Sequence, residues 1–112
     1  MIIESGIVAA TNADLLSGGR LNNIPYNGNL VLQFLADLAD ATNYYDLTIQ
    51  LPNGQVPIDT QMVPASSSGN DGVLDSREYL EVGFAASQGG HFHVSLTENG
   101  TAVCAWRAIL RP

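Results

Sequence analysis

Residues 45–51 read Tyr-Asp-Leu-Thr-Ile-Gln-Leu and run directly into Pro52-Asn53-Gly54. Tyr45, Leu47, Ile49 and Leu51 recur at every second position, with Asp46, Thr48 and Gln50 between them. Side chains alternate sides along a strand, so this pattern sets an apolar face against a core and a polar face in water. Asn-Gly suits a type I′ hairpin turn, because both central residues must accept positive φ and the turn matches strand twist. A return strand over 56–63 is therefore expected, with Val56, Ile58 and Met62 on one face. Pro57 and Pro64 lack the N–H that a sheet ladder needs, which confines this strand to a short piece or an edge.

The same reading extends in both directions. A second Asn-Gly, Asn99-Gly100, separates 91–97 from 101–110 and predicts a second hairpin. In 91–97, Phe92, Val94 and Leu96 point inward while His91, His93, Ser95 and Thr97 point outward. The last run is apolar on both faces, Val103, Ala105 and Ile109 on one and Cys104, Trp106 and Leu110 on the other. Such a strand is either central in its sheet or turned towards a partner. Residues 2–9 read as an edge strand, 20–24 as a short one, and 29–37 as a strand around Leu30-Val31-Leu32-Gln33-Phe34-Leu35. Residues 30–41 also fit helical spacing through Val31, Phe34, Leu35 and Leu38, but the turn-rich flanks favour the strand. Residues 78–85 set Leu80, Val82 and Phe84 against Tyr79, Glu81 and Gly83. Seven or eight short strands without a long helix define an all-β chain, a single antiparallel β-sandwich or small jelly roll spanning 1–112.

Composition narrows function. The 112 residues carry 4 basic and 11 acidic side chains, a net charge of −7, and every basic residue is an arginine. Nucleic-acid binding draws on clustered Lys/Arg that release counterions, and four scattered arginines in an acidic chain cannot provide that. At 46% hydrophobic and 13% charged, the chain is too apolar for intrinsic disorder, and its length suits one domain. No stretch reaches the ~18 apolar residues of a membrane span, and the first residues show no cationic leader, so no signal peptide and a cytoplasmic origin are expected. The lone cysteine, Cys104, excludes an intramolecular disulfide and reads as a small buried hydrophobe.

Candidate chemistry is sparse. His91 and His93 leave the same side of one strand and are the metal-ligand candidates, a third ligand coming from an Asp or Glu on a neighbouring strand. The plainer reading makes them outward polar positions that gain charge as pH falls. Residues 67–78 loosely imitate a calcium loop, but Ser67 and Gly69 stand where carboxylate ligands belong, leaving a turn-rich loop. Asp37 with Asp40, and Asp71 with Asp75, are carboxylate pairs that read as solvated surface. No serine or cysteine nucleophile motif occurs, and Gly18-Gly19-Arg20 and Gly89-Gly90 read as turns. Asn99-Gly100-Thr101 fits the glycosylation pattern but reads as a hairpin tip. Tyr26 and Tyr44 read as the more exposed aromatic pair and are the ligand-binding candidates of an alternative reading, a carbohydrate- or other ligand-binding module, while Trp106 belongs to the core.

Residues 45–54, the turn Ala86-Ser87-Gln88-Gly89-Gly90-His91 and the overall size resemble small β-sandwich structural proteins of bacteriophages, the capsid decoration and minor virion components. The resemblance rests on strand pattern and brings no diagnostic motif or site residues with it. It implies a virion protein without cofactor or catalysis, whose partners are copies of itself, as a homo-oligomer, and other virion proteins. Neutral outward positions limit desolvation cost at contacts, and lysine-free strand edges are open to pairing. The acidic balance points to the outside of a shell, because a surface lining genome is normally basic.

Overall fold

The computed structural model describes residues 1–37, 42–66, 74 and 78–112. Its strands are β1 (Ile2–Val8), β2 (Gly28–Asp37), β3 (Tyr44–Gln50), β4 (Ile58–Met62), β5 (Ala65–Ser66), β6 (Leu80–Ala86), β7 (His93–Asn99) and β8 (Val103–Arg111). In the larger sheet β8 runs antiparallel between β1 and β2, and the far side of β2 carries antiparallel β6 and then the two-residue β5, which is parallel. The smaller sheet has the order β4-β3-β7, antiparallel throughout. The chain is thus an all-β sandwich, and 29–37 is strand rather than helix. No helix of the structure is long and apolar enough to cross a membrane.

The alternating faces meet as the sequence predicts. Leu30, Leu32, Phe34 and Ala36 of β2 and Cys104, Trp106, Ala108 and Leu110 of β8 pack with Tyr45, Leu47 and Ile49 of β3 and Val94 and Leu96 of β7 in one buried cluster. β8 is apolar on both faces because it is central: Ile109 and Ala105, on its other side, are also buried. Trp106 lies across Gly6 of β1, where an added Cβ would meet the indole Nε1 at 2.9 Å.

Three local expectations are corrected. Asn53-Gly54 does turn β3 back into β4, with Gly54 at φ 89° and its N–H donating to the Leu51 carbonyl. Asn99-Gly100 has the same positive φ, 81° at the glycine, yet makes no hairpin and forms no hairpin tip. β7 stays beside β3 while β8 crosses to the other sheet. A strand apolar on both sides buries more surface between β1 and β2 than it would at the edge of a three-stranded sheet.

The second correction concerns β4. Ile58 pairs with Ile49 but Met62 pairs with Asp46, so the two side chains leave opposite faces. A bulge between these pairs places Thr60 at φ 53°, its N–H donating to Thr48 Oγ1 at 3.0 Å, and the extra residue reverses the phase. Met62 is accordingly exposed, Val56 is exposed ahead of the strand, and β4 is an edge strand.

Thirdly, 20–24 is turn rather than strand, although Leu21 and Ile24 are buried. Residues 12–24 lie where a fourth strand of the smaller sheet would be. Asn12 exchanges two backbone hydrogen bonds with Leu96, both 2.9 Å, and Leu15 N–H donates to the Val94 carbonyl at 2.8 Å, which covers the free edge of β7. Leu15, Leu16, Leu21 and Ile24 then close the core. Glu4 of β1 accepts a hydrogen bond from Leu21 N–H at 2.5 Å and holds this segment down.

Candidate functional site

Among the described residues, three side chains able to hold a metal converge where residues 12–24 meet the start of β7. Burial of Phe92 and Val94 on the inner face sends His91 and His93 outward together. The third residue is Asp14, from the 12–24 segment rather than from a neighbouring strand. The backbone bonds of Asn12 and Leu15 fix Asp14 beside β7, and the Asn12 side chain accepts its N–H at 3.0 Å.

Asp14 Oδ2 lies 2.7 Å from His91 Nε2 and 3.4 Å from His93 Nδ1. The two imidazoles meet edge to face, with centroids 4.5 Å apart. His91 Nδ1 faces the Asn22 carbonyl in a short hydrogen bond. Both ring nitrogens of His91 therefore face groups that only accept. Burial alone would lower the His91 pKa, but the Asn22 carbonyl and the Asp14 carboxylate outweigh it and raise the value above the ordinary one. Asp14 Oδ1 is buried with no hydrogen-bond partner among the described residues. His91 and Asp14 are each 23% exposed and His93 55%, so the group opens to solvent beside a cleft of about 330 Å³ lined by Gln50, Leu51, Gly54 and Gly89. Asp14 carried no local signal in the sequence, since it stands 77 residues from His91 and matches no ligand spacing.

The other candidates separate. Tyr26 donates to the Leu110 carbonyl at 3.1 Å and packs against the core. Tyr44 opens β3, next to Tyr45, whose hydroxyl lies 3.3 Å from the Val8 carbonyl. Ile2, which pairs with Leu110, and Val8 bound β1, so the two tyrosines sit at opposite ends of the sandwich, about 20 Å apart along the strand. They build no shared platform for a sugar. Asn99 of the glycosylation pattern donates through its side chain to Asp46 Oδ2 at 3.2 Å. Asp40, Asp71, Asp75 and Ser67 lie outside the described residues, and with them the calcium-like loop and the acidic pairs.

Cys104 is fully buried, and that burial pushes its thiol up to about 12. The thiolate is the reactive form, so almost none exists near neutrality. A thiol reagent at mildly alkaline pH is expected to leave the folded protein untouched and to label Cys104 completely in denaturant. Rapid labelling of the folded chain would contradict the packing.

A second surface is built by β1. Among the described residues it pairs only with β8, and no described strand lies along its other edge. Its burial alternates strictly: Ile3 is 50% and Ile7 59% exposed, and Met1 adjoins them at 71%. On the same face of the sheet, Arg107 Nε donates to Gln33 Oε1 at 2.6 Å while Gln33 Nε2 donates to Glu81 Oε1 at 2.8 Å. The opposite charges of Arg107 and Glu81 are thus joined through one buried amide, and on β1 the exposed side chains of this face are Ile3, Ser5 and Ile7. The chain matches no protein-family model and no curated protein.

Proposed function

We propose that this chain is a non-enzymatic structural subunit that self-associates through the outer edge of β1, and that it serves in a virion as a capsid decoration or minor capsid component. The observation that carries this reading is β1, an edge without a strand partner among the described residues, with two exposed isoleucines on a lysine-free strand. Natural sheets protect such edges with charge, proline or bulges, and β1 has none of these on its exposed face.

The strand is also symmetric in character about Ser5: Ile2 mirrors Val8, Ile3 mirrors Ile7, and Glu4 and Gly6 flank the centre on the inner face. A two-fold contact needs a patch complementary to itself. Two β1 strands running antiparallel about Ser5 set Ile3 of one copy against Ile7 of the other, twice, and fuse two larger sheets into one. The joined Arg107–Gln33–Glu81 group keeps free charge away from that seam, in keeping with the depletion of charge at interface centres. The net charge of −7 supports a place away from the genome.

Light scattering behind size-exclusion chromatography tests self-association, and electron microscopy of particles made with and without the protein tests the virion role. The wild type is expected to be a dimer or larger, and the Ile3→Lys/Ile7→Lys variant a monomer of unchanged Tm, since both side chains are exposed. A concentrated wild type that stays monomeric and never joins particles overturns the reading.

A further inference from the structure

We propose that Asp14, His91 and His93 form a binding site for one divalent transition-metal ion of the zinc class, with coordination left open towards the cleft beside Gln50, Gly54 and Gly89. The inference is independent of the assembly reading. It starts from convergence: one ligand atom from each of the three residues falls within 4.8 Å of the others.

Zinc bonds of about 2.0–2.2 Å to nitrogen and oxygen place tetrahedral ligand atoms roughly 3.4 Å apart. His93 Nδ1 and Asp14 Oδ2 already stand at 3.4 Å. His91 Nε2, 2.7 Å from the same oxygen, reaches that separation by moving back, and all three ligand atoms already lie within 4.8 Å of one another.

The Asn22 carbonyl suits the His91 tautomer that this task needs: with the proton on Nδ1 donating to it, the Nε2 lone pair turns towards Asp14. A histidine that ligates a metal through one nitrogen commonly donates from the other to a backbone carbonyl in this way. Without a positive species at Nε2, the lone pair would face a carboxylate oxygen, which is repulsive. A proton relieves that contact for His91 alone. His93 directs a second nitrogen, Nδ1, at the same oxygen, so this one carboxylate oxygen faces two imidazole nitrogens whose ring centroids are 4.5 Å apart. One dication at the common focus satisfies all three groups. It also draws charge from the carboxylate, whose buried Oδ1 has no partner among the described residues.

Two imidazoles and one carboxylate suit zinc, cobalt, nickel or copper, whereas calcium and magnesium require oxygen ligands. Asp14 is positioned by the backbone of β7 through Asn12 and Leu15, so little ordering cost accompanies binding. Three protein ligands leave at least one position for water or for a donor group from another molecule.

Titration of the full chain with Co²⁺, followed by visible absorption, and with Zn²⁺, followed by calorimetry, tests the site. Expected are one ion per chain, the intense absorption of tetrahedral cobalt, and joint displacement of the His91 and His93 imidazole NMR signals. Calcium and magnesium are expected to leave the spectra unchanged. His93→Ala removes a half-exposed ligand without touching the core, and its fold is checked by circular dichroism. It is expected to weaken binding by more than the ~10–100-fold that loss of an outer-shell partner costs, and Asp14→Asn to do the same. Absence of one-to-one binding, imidazole signals that do not move, or undiminished affinity in a folded His93→Ala variant overturns the assignment.

Discussion

Tyr45→Ala is expected to cost about 3–5 kcal/mol, the usual penalty for removing a large buried aromatic, and so to consume much of the roughly 5–15 kcal/mol that holds a domain folded. Tyr45 is fully buried and has the largest of the fully buried side chains among the described residues. Its ring belongs to the smaller sheet, while its hydroxyl reaches the seam of the sandwich. The oxygen lies 2.9 Å from the Ala102 carbonyl, 3.1 Å from Glu98 Oε2 and 3.3 Å from the Val8 carbonyl. It therefore touches the end of β1, the end of β7 and the crossing to β8. Burial raises its pKa, and the hydrogen bond and charge of Glu98 raise it further, so the phenol keeps its proton and stays a donor. Tyr45→Phe separates the two contributions. Loss of the hydroxyl alone is expected to cost about 1–2 kcal/mol, because the acceptors around it lose their donor. Urea denaturation of both variants measures the difference, and a Tyr45→Phe protein as stable as wild type would show that the seam does not depend on this group.

Gly100→Val is expected to destabilise by about 2–5 kcal/mol, combining backbone strain at positive φ with overlap and broken hydrogen bonds. Gly100 sits at φ 81°, and an added Cβ would collide with the Thr42 carbonyl. Next to it, Asn43 Oδ1 accepts from both the N–H of Thr101, at 2.7 Å, and its hydroxyl, at 3.2 Å. A side chain at Gly100 pushes this latch apart and loosens the crossing between the sheets. Gly54 supplies the control. Its φ is 89°, yet nothing lies within 4 Å of an added Cβ, so Gly54→Ala carries only the conformational term, about 1 kcal/mol. Thermal or chemical unfolding of the pair measures how much of the Gly100 effect is tertiary. Equal losses at the two turns would mean that the Thr42–Asn43 contact contributes nothing.

These two glycines also show where sequence reading stops. Both follow asparagine, both have positive φ, and both turn the chain after an alternating strand. Local chemistry settles that much. It does not settle the destination of the next strand, which is chosen by the surface it can cover. β4, polar and proline-flanked, remains at an edge beside β3, whereas β8 leaves β7 for the centre of the larger sheet. The β4 bulge has the same origin. Ile58 and Met62 stand at even spacing and read as one face, but the residue inserted opposite Thr48 sends them apart.

The candidate site was half legible. His91 and His93 share a face because alternation is local, and their place beside buried Phe92 follows from the same period. Asp14 was not legible, because residues 12–24 have no periodicity that would dock them on β7. They are held there by backbone hydrogen bonds and by four buried side chains at irregular spacing. The tyrosine pair fails for the complementary reason: Tyr26 and Tyr44 both read as exposed, and nothing in a linear chain reveals that they occupy opposite ends of it once folded.

By itself, then, the order of residues determined what depends on neighbours a few positions apart: the strand runs, their inward faces, the positive-φ turns, the burial of Cys104 and Trp106, and the low charge of the surface. Tertiary structure alone decided which strands became neighbours, which strand came to lie at the end of the larger sheet, and which carboxylate met the two histidines. The physical reason is that side-chain period and turn geometry are properties of short segments, whereas burial is shared among segments distant in sequence and has no value until the whole core has closed.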